Sequence, residues 1–326
     1  MIENIVVSII VPLLNEEKFI GHFLDSLIRQ TYPREKMEWI LVDGDSDDKT
    51  REIIEKYKAD NKLPIKLLNN KERKTPFALN IGIKNARGKY IIRLDAHAEF
   101  FSDYIEKCIY YLDNTDADNV GGVAETSSST FIGKAISQML STKFGVGGSD
   151  FRIGDGNKYV DTVPFGAFRK EVFDKVGLFN TELLRSEDND MNARIRNSGG
   201  KIWLADDIRF KYYCRDTIRG ILKMGLQNGN ALFFTLRENS KAMSLRHFIP
   251  FFFLVSVILF PLVGIRLPFV KVLFRIEMFL YLLLDVCFSF FNKQPFYGSI
   301  NIFLYPLFHL TYGLGSLLGL FNIKVY

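Results

Sequence analysis

The hydrophobic pattern of this 326-residue chain changes character near Leu245. Before it, short apolar runs alternate with helical stripes. Ile5 to Val11 is β-branched and almost wholly apolar, which predicts a central strand of a parallel sheet covered on both faces. It ends at Pro12. Phe19, Ile20, Phe23, Leu24, Leu27 and Ile28 then fall at helical spacing, with Asn15 as the expected N-cap and Glu16 and Glu17 in the first turn. A second strand at Trp39 to Val42 runs into the polar stretch Asp43 to Thr50, and a helix containing Ile53, Ile54 and Tyr57 follows. Ile65 to Leu68, a helix over 77–86 and the strand Tyr90 to Leu94 repeat the unit. Such alternation predicts a doubly wound α/β sheet, whose ligands sit beyond the carboxyl ends of its strands. Pro12 to Glu17, Asp43 to Asp48 and Asp95 to Glu99 all lie at such ends, so three polar clusters are expected along one edge.

Past Glu99 the pattern loosens. Val120 to Val123 resembles a strand and Thr126 to Thr130 a polar loop, while Gly145 to Gly156 reads as a mobile segment or an ordinary surface loop. Order returns at Val163 to Phe168, followed by a helix from Arg169 to Val176. Ser186 to Asp190 opens another helix, with Met191 and Ile195 facing inward.

The C-terminal part reads differently. Phe248 to Ile265 holds no charge, Ile276 to Phe291 carries only Glu277 and Asp285, and Gln294 to Ile323 has only the titratable His309. Each run approaches the roughly 20 residues needed to cross a bilayer. The expected division is therefore a polar domain over 1–243 and a membrane region of two to three apolar helices over 244–326. Arg215, Arg219 and Lys223 are four apart beside Ile218, Ile221 and Leu222, so a helix at about 215–237 either lies on the membrane surface or presents a solvated basic face. Three full spans would leave Arg266, Lys271 and Arg275 outside, against the positive-inside tendency; Pro250 and Pro261 suggest instead that the first run is interfacial or re-entrant. The opening strand lacks the pattern of a signal peptide, which puts the polar domain in the cytoplasm.

Composition adds three limits. Cys108, Cys214 and Cys287 are far apart and odd in number, suggesting neither a disulfide framework nor a zinc site. The formal net charge of +5 suits an anionic leaflet. Its basic residues are scattered without a nucleic-acid motif, so no nucleic acid partner is expected.

Candidate chemistry gathers at the strand ends. Asp95 and His97, two apart in extended chain, can converge on one Mn²⁺ or Mg²⁺ whose remaining positions are filled by diphosphate oxygens. A helix cap and a solvated histidine are the plainer reading. Asp43 is placed to accept a hydrogen bond from a nucleobase N–H or simply to shape a turn. No dinucleotide or P-loop glycine motif accompanies these edges. Glu187, Asp188 and Asp190 suit a helix N-terminus, yet three together call for a cation or a proton transfer.

Taken in order, Val11-Pro12-Leu13-Leu14-Asn15-Glu16-Glu17, Val42-Asp43-Gly44-Asp45-Ser46-Asp47-Asp48, Arg93-Leu94-Asp95-Ala96-His97, Pro164-Phe165-Gly166-Ala167-Phe168-Arg169 and Ser186-Glu187-Asp188-Asn189-Asp190 resemble the family-2 inverting glycosyltransferases of GT-A fold. The likeness is to the membrane-attached branch of succinoglycan and exopolysaccharide synthesis, over roughly Ile5 to Tyr213. It implies that Pro12, Asn15 and Glu16 or Glu17 border the nucleotide, with Asp43 on the uracil and Arg73 near the base or phosphates. Asp95 would meet the metal and the diphosphate, with His97 where the family has a second Asp. Gly166, Ala167 and Glu187 would lie on the acceptor side, and Asp188 would be the general base. The Gln-x-x-Arg-Trp signature of processive synthases is absent from Arg215 to Asn230. The implied activity is transfer of one sugar from a UDP-sugar to a lipid-linked saccharide at a bacterial inner membrane, with the catalytic domain facing the cytoplasm. A polyisoprenyl-phosphate glycosyltransferase and a non-catalytic nucleotide-sugar-binding scaffold are the alternatives; a nucleotidyltransferase lacks its basic phosphate loop near Pro12.

Overall fold

The computed structural model describes residues 5–154, 156–291 and 295–325. The chain forms two compact units, residues 1–125 with 154–212 and residues 126–153 with 213–326. In order, the first unit contributes β1 (Val7–Leu13), α1 (Ile20–Ile28), β2 (Met37–Asp43), α2 (Thr50–Asn61), β3 (Ile65–Asn69), α3 (Thr75–Asn85), β4 (Tyr90–Arg93), β5 (Ala98–Phe100), α4 (Tyr104–Asn114) and β6 (Asn119–Ser127). The chain then enters the second unit for α5 (Phe131–Leu140), α6 (Lys143–Val146) and α7 (Asp150–Ile153). It returns for β7 (Lys158–Tyr159), β8 (Ala167–Arg169), α8 (Glu171–Val176), α9 (Glu187–Asn197) and β9 (Ile202–Tyr213). Last come α10 (Ile218–Glu238), α11 (Ile249–Gly264), α12 (Pro268–Phe290) and α13 (Gly298–Leu320).

The sheet runs β3-β2-β1-β4-β8-β6-β9-β5, with β7 beside β9. Strands β3, β2, β1 and β4 are parallel, as the alternation of strand and helix predicts. β8 joins β4 antiparallel, so the second half departs from a doubly wound order. The parallel strands are continuous apolar runs because helices cover both of their faces; every residue of β2 is buried. Register aligns Leu13, Asp43 and Asn69 at one edge. The loops that follow these strands therefore emerge together.

Three local expectations change. Asn15 does not cap α1, which begins at Ile20 behind Phe19; it takes a left-handed φ of 56° and bonds to the next loop instead. Gly145 to Gly156 is not simply irregular, since Thr142 caps the short α6 and α7 follows it. The strand expected at Val163 to Phe168 shifts to Ala167–Arg169, and its helix starts at Glu171.

In the second unit the three apolar runs become α11, α12 and α13. Leu245–Gly264 and Pro295–Leu320 are long and apolar enough to cross a membrane. The basic segment becomes α10, which starts at Ile218 behind its Thr217 cap, so Arg219 and Lys223 lie on it and Arg215 precedes it; α10 lies side by side with α13. Gly225 faces Phe308, Gly229 the Tyr312 carbonyl, Gly315 the Leu226 carbonyl and Gly319 the Asn230 carbonyl, so the two helices run parallel. Small residues at four-residue spacing allow such close backbone approach. Arg237 completes the contact by donating to the carbonyls of Gly319 and Leu320 at 3.0 and 2.9 Å, near the end of α13. A Cβ on Gly229 would lie 1.9 Å from the Tyr312 oxygen. Gly229→Ala is therefore expected to cost about 1–3 kcal/mol through overpacking, seen as earlier thermal unfolding in detergent. An unchanged unfolding temperature would rule the contact out.

Candidate active site

The loops after β1 and β2 are stitched to each other. The Asn15 amide donates to Ser46 Oγ at 2.9 Å, and Asn15 Oδ1 accepts from the Asp47 amide at 3.0 Å. The Glu16 amide donates to Thr50 Oγ1 at 2.7 Å, while Glu17 Oε2 accepts from the Lys49 amide. Pro12 lies opposite Val42 just before this junction. Asp43 is fully buried and accepts from Ser46 Oγ at 2.6 Å and Arg51 Nη1 at 2.9 Å. Arg51 also donates to Asn69. Arg73, itself at a φ of 56°, donates to the Asp45 carbonyl at 3.0 Å. The first two polar clusters thus form one rim, with Asp43 beneath its surface and Arg51 reaching toward solvent.

The third cluster meets this rim through His97. Its Nδ1 is 3.5 Å from Glu16 Oε1 and its Nε2 is 3.9 Å from Asp95 Oδ2. Beneath it, Arg93 ends β4 with its side chain only 7% exposed. The guanidinium donates to Asp188 Oδ2 at 2.5 Å and approaches Asp95 at 3.2 Å and Glu187 at 3.5 Å. One cation therefore gathers three carboxylates from two distant parts of the chain. Burial opposes its charge, but Asp188, Asp95 and Glu187 outweigh that and keep its pKa above the usual arginine value. Burial raises both acids in turn: the Asp188 carboxyl is lifted from its ordinary value, and Glu187, further lifted by Asp188, is pushed up to about 7.

Asp190 has another task. It is buried and bonds Arg194 within α9, at 3.0 Å to Nε. Gly166 and Ala167 line the strand beside Arg93: the Gly166 carbonyl accepts from the Arg93 amide at 3.0 Å, and Ala167 pairs with Ile92 and Val120. A Cβ on Gly166 would collide with Asn119 at 2.3 Å. Arg93 and Arg51 were not singled out by the sequence reading. Arg93 had a signal, since it is the one charge inside the apolar run Tyr90 to Leu94; Arg51 had none.

A divalent cation fits this donor set. If all three carboxylates are ionised, Arg93 leaves two negative charges uncompensated in a partly buried site. Asp95 and half-exposed His97 supply one carboxylate and one imidazole, 3.9 Å apart, of the donor types a Mn²⁺ or Mg²⁺ site uses. Among the described residues no group of three or more His, Cys, Asp or Glu side chains is placed to hold a metal ion by itself. Substrate oxygens would complete the coordination, as Mg²⁺ sites commonly require.

The family model for glycosyl transferase family 2 matches residues 8–177, more than half of the chain and including four of the five clusters. The chain belongs to glycosyltransferase family 2. This glycosyltransferase is 29% identical over 321 residues to the dolichyl N-acetyl-alpha-D-glucosaminyl phosphate 3-beta-D-2,3-diacetamido-2,3-dideoxy-beta-D-glucuronosyltransferase of Methanococcus voltae, covering 96% of this chain and 97% of that protein. It is also 29% identical over 209 residues to the succinoglycan biosynthesis protein ExoA of Rhizobium meliloti, 64% of this chain and 63% of that one. Among solved structures, the mannosyltransferase PcManGT from Pyrobaculum calidifontis, in complex with GDP-Man and Mn²⁺, superposes with a TM-score of 0.68 at 17% identity, covering 98% and 88% of the two chains. TarS 1–349 of S. aureus with UDP-GlcNAc gives 0.55 at 16% identity over 99% and 93%. The fold is the GT-A α/β fold, as the resemblance implied.

Proposed function

We propose that this glycosyltransferase moves one sugar from a UDP-sugar to a lipid-linked saccharide with inversion at the anomeric carbon, on the cytoplasmic face of a cell membrane. The observation that carries the reading is Arg93, which holds Asp188 and Asp95 on a single guanidinium. The proposed base and the proposed diphosphate-side carboxylate thereby share one site.

Asp188 Oδ2 is engaged by Arg93, and its Oδ1 is the oxygen that takes the proton from the acceptor hydroxyl. As that proton leaves, the acceptor oxygen bonds to the anomeric carbon and the bond to the UDP oxygen breaks. Positioned proton transfer of this kind typically contributes about 10²–10⁴-fold. Asp95 and His97 would hold Mn²⁺ or Mg²⁺, which supplies Lewis-acid stabilisation of the leaving diphosphate. Asn15, Glu16 and Glu17 order the rim beside the nucleotide, while Arg73 and Arg51 offer cations there. Asp43, with Ser46 and Arg51, shapes the base end. Gly166 and Glu187, through their contacts with Arg93, and Ala167 beside Ile92 border the acceptor side.

A lipid-linked acceptor is supported by the apolar helices and by the name of the Methanococcus relative, whose acceptor is a dolichyl-linked sugar phosphate. The test is UDP release by purified protein with a panel of UDP-sugars and a lipid extract, in Mn²⁺ or EDTA. Release needing both lipid and metal is expected. UDP binding without release under any combination would favour the scaffold.

The acid limb of the pH profile gives a further expectation. A base must be deprotonated, and burial raises the pKa of Asp188. The transfer rate should fall as pH drops through a value above the about 3.9 of an ordinary aspartate, and recover when pH is raised. Transfer rates at saturating donor, measured from pH 4 to 8, check this; a rate flat down to pH 4 would reject Asp188 as the base.

A further inference from the structure

We infer that the second unit is monotopic: its apolar helices lie along one face of an anionic bilayer and none crosses it. The inference rests on the membrane-attached reading above and specifies how attachment is made.

Through most of α13 the exposed apolar side chains keep to one stripe. Phe303, Leu307 and Leu314 are exposed at intervals of four and seven residues, and only at the C-terminal end does exposure spread to Leu320 and the following Phe321, whereas Asn301, Tyr305, His309 and Ser316 are buried on other faces. A helix standing in lipid alone would show apolar side chains all round. A single apolar stripe over buried polar groups is the pattern of an in-plane helix.

What covers the buried faces points the same way. The His309 ring bonds the Phe144 carbonyl through Nε2 at 3.0 Å, Tyr305 bonds Thr142 at 2.9 Å, and Asn301 donates to Gln138 at 2.9 Å. Those partners lie in α5, α6 and the turn between them, on a segment whose two ends both return to the catalytic unit. His309 is the midpoint of the 23-residue α13. If α13 stood upright, the exposed Lys143, adjacent to the Phe144 carbonyl that His309 bonds, would sit near the centre of the hydrocarbon, where a charged side chain is costly. The length of α13 is flanked in turn by α10, which presents exposed Arg219, Lys223 and Arg237. Gly225 lies against Phe308, so a bilayer-spanning α13 would carry Lys223 toward the middle of the hydrocarbon as well, with Arg237 at its end.

The hairpin of α11 and α12 fits the same arrangement. Exposed Arg266 lies in its turn, and exposed Lys271 and Arg275 in the first turns of α12, and all three stay among anionic headgroups when the hairpin lies flat. Leu245–Gly264 and Pro295–Leu320 have the length and apolarity of spans. Their partners and charges assign them to the surface layer.

The experiment uses full-length protein in sealed, inverted inner-membrane vesicles of a bacterial host, in which the cytoplasmic face is outward. Arg266→Cys and Lys324→Cys are made separately in a Cys287→Ser background and treated with a membrane-impermeant maleimide before or after detergent. Both cysteines are expected to label before detergent, to within about twofold of the level after it. Limited trypsin cleavage of the unsubstituted protein at Arg266 from the outside gives the same information without a mutation. Labelling of Arg266→Cys only after detergent, with Arg266 protected from trypsin, would overturn the monotopic arrangement while leaving membrane attachment intact. Recovery of the protein in the soluble fraction would overturn both.

Discussion

Asp188→Asn is expected to lower UDP release with the preferred donor and lipid acceptor by about 10²–10⁴-fold, with nucleotide binding and the unfolding temperature little changed. The amide oxygen of Asn still accepts from Arg93, so the guanidinium keeps a partner, but the side chain no longer takes a proton. Asp190→Asn is the matched comparison two residues along the same helix. Asp190 is buried against Arg194, so its loss should weaken the fold by about 1–3 kcal/mol while leaving the rate per folded molecule near that of the parent. Equal loss of transfer in both variants would show that the first acts through folding, and the assignment of Asp188 would fall.

Arg93→Met is expected to produce the largest loss of stability. The substitution keeps much of the aliphatic volume but leaves Asp95, Glu187 and Asp188 facing one another without a cation, and breaking a buried pair in this way costs about 3–5 kcal/mol. The effect should depend on pH. Glu187 and Asp188 have folded pKa values above their unfolded ones; carboxylates of that kind add stability when protonated, below the unfolded pKa, and lose that contribution as pH rises through the folded pKa. Removing Arg93 raises them further. Denaturant midpoints at pH 5 and pH 8 should therefore show a smaller deficit at pH 5. A deficit equal at both pH values would mean that Arg93 acts by packing, for instance on the Phe165 ring 5.5 Å away.

The parallel half of the fold was legible because each strand is a bare apolar run and each loop starts at its carboxyl end, so one rule about sheets located three clusters at once. The antiparallel half was not. β8 holds three residues and owes its place to pairing with β4 and β6, information that periodicity within so short a run does not carry. Asn15 misled because a short polar residue before a helical stripe suits both a cap and a left-handed turn; the Asp47 amide, 32 residues away, settled it. The need of Glu187 and Asp188 for a cation could be read from their repulsion. That the cation would be Arg93 could not, because 94 and 95 residues separate it from them. Asp43 shows the opposite limit: its position at a strand end was clear, but not that Ser46 and Arg51 would occupy its carboxylate.

The glycine seam between α10 and α13 also bears on how the protein is made. About sixty residues separate the two helices in the chain, and a ribosome adding roughly 5–20 residues per second needs several seconds to cover them. Throughout that interval α10 has left the ribosome without the helix that fills its groove, and α11 and α12 arrive first with more apolar surface than either can bury in the other. The second unit therefore closes late, and its yield should respond to translation speed downstream of Glu238 and to the supply of chaperone or membrane during those seconds.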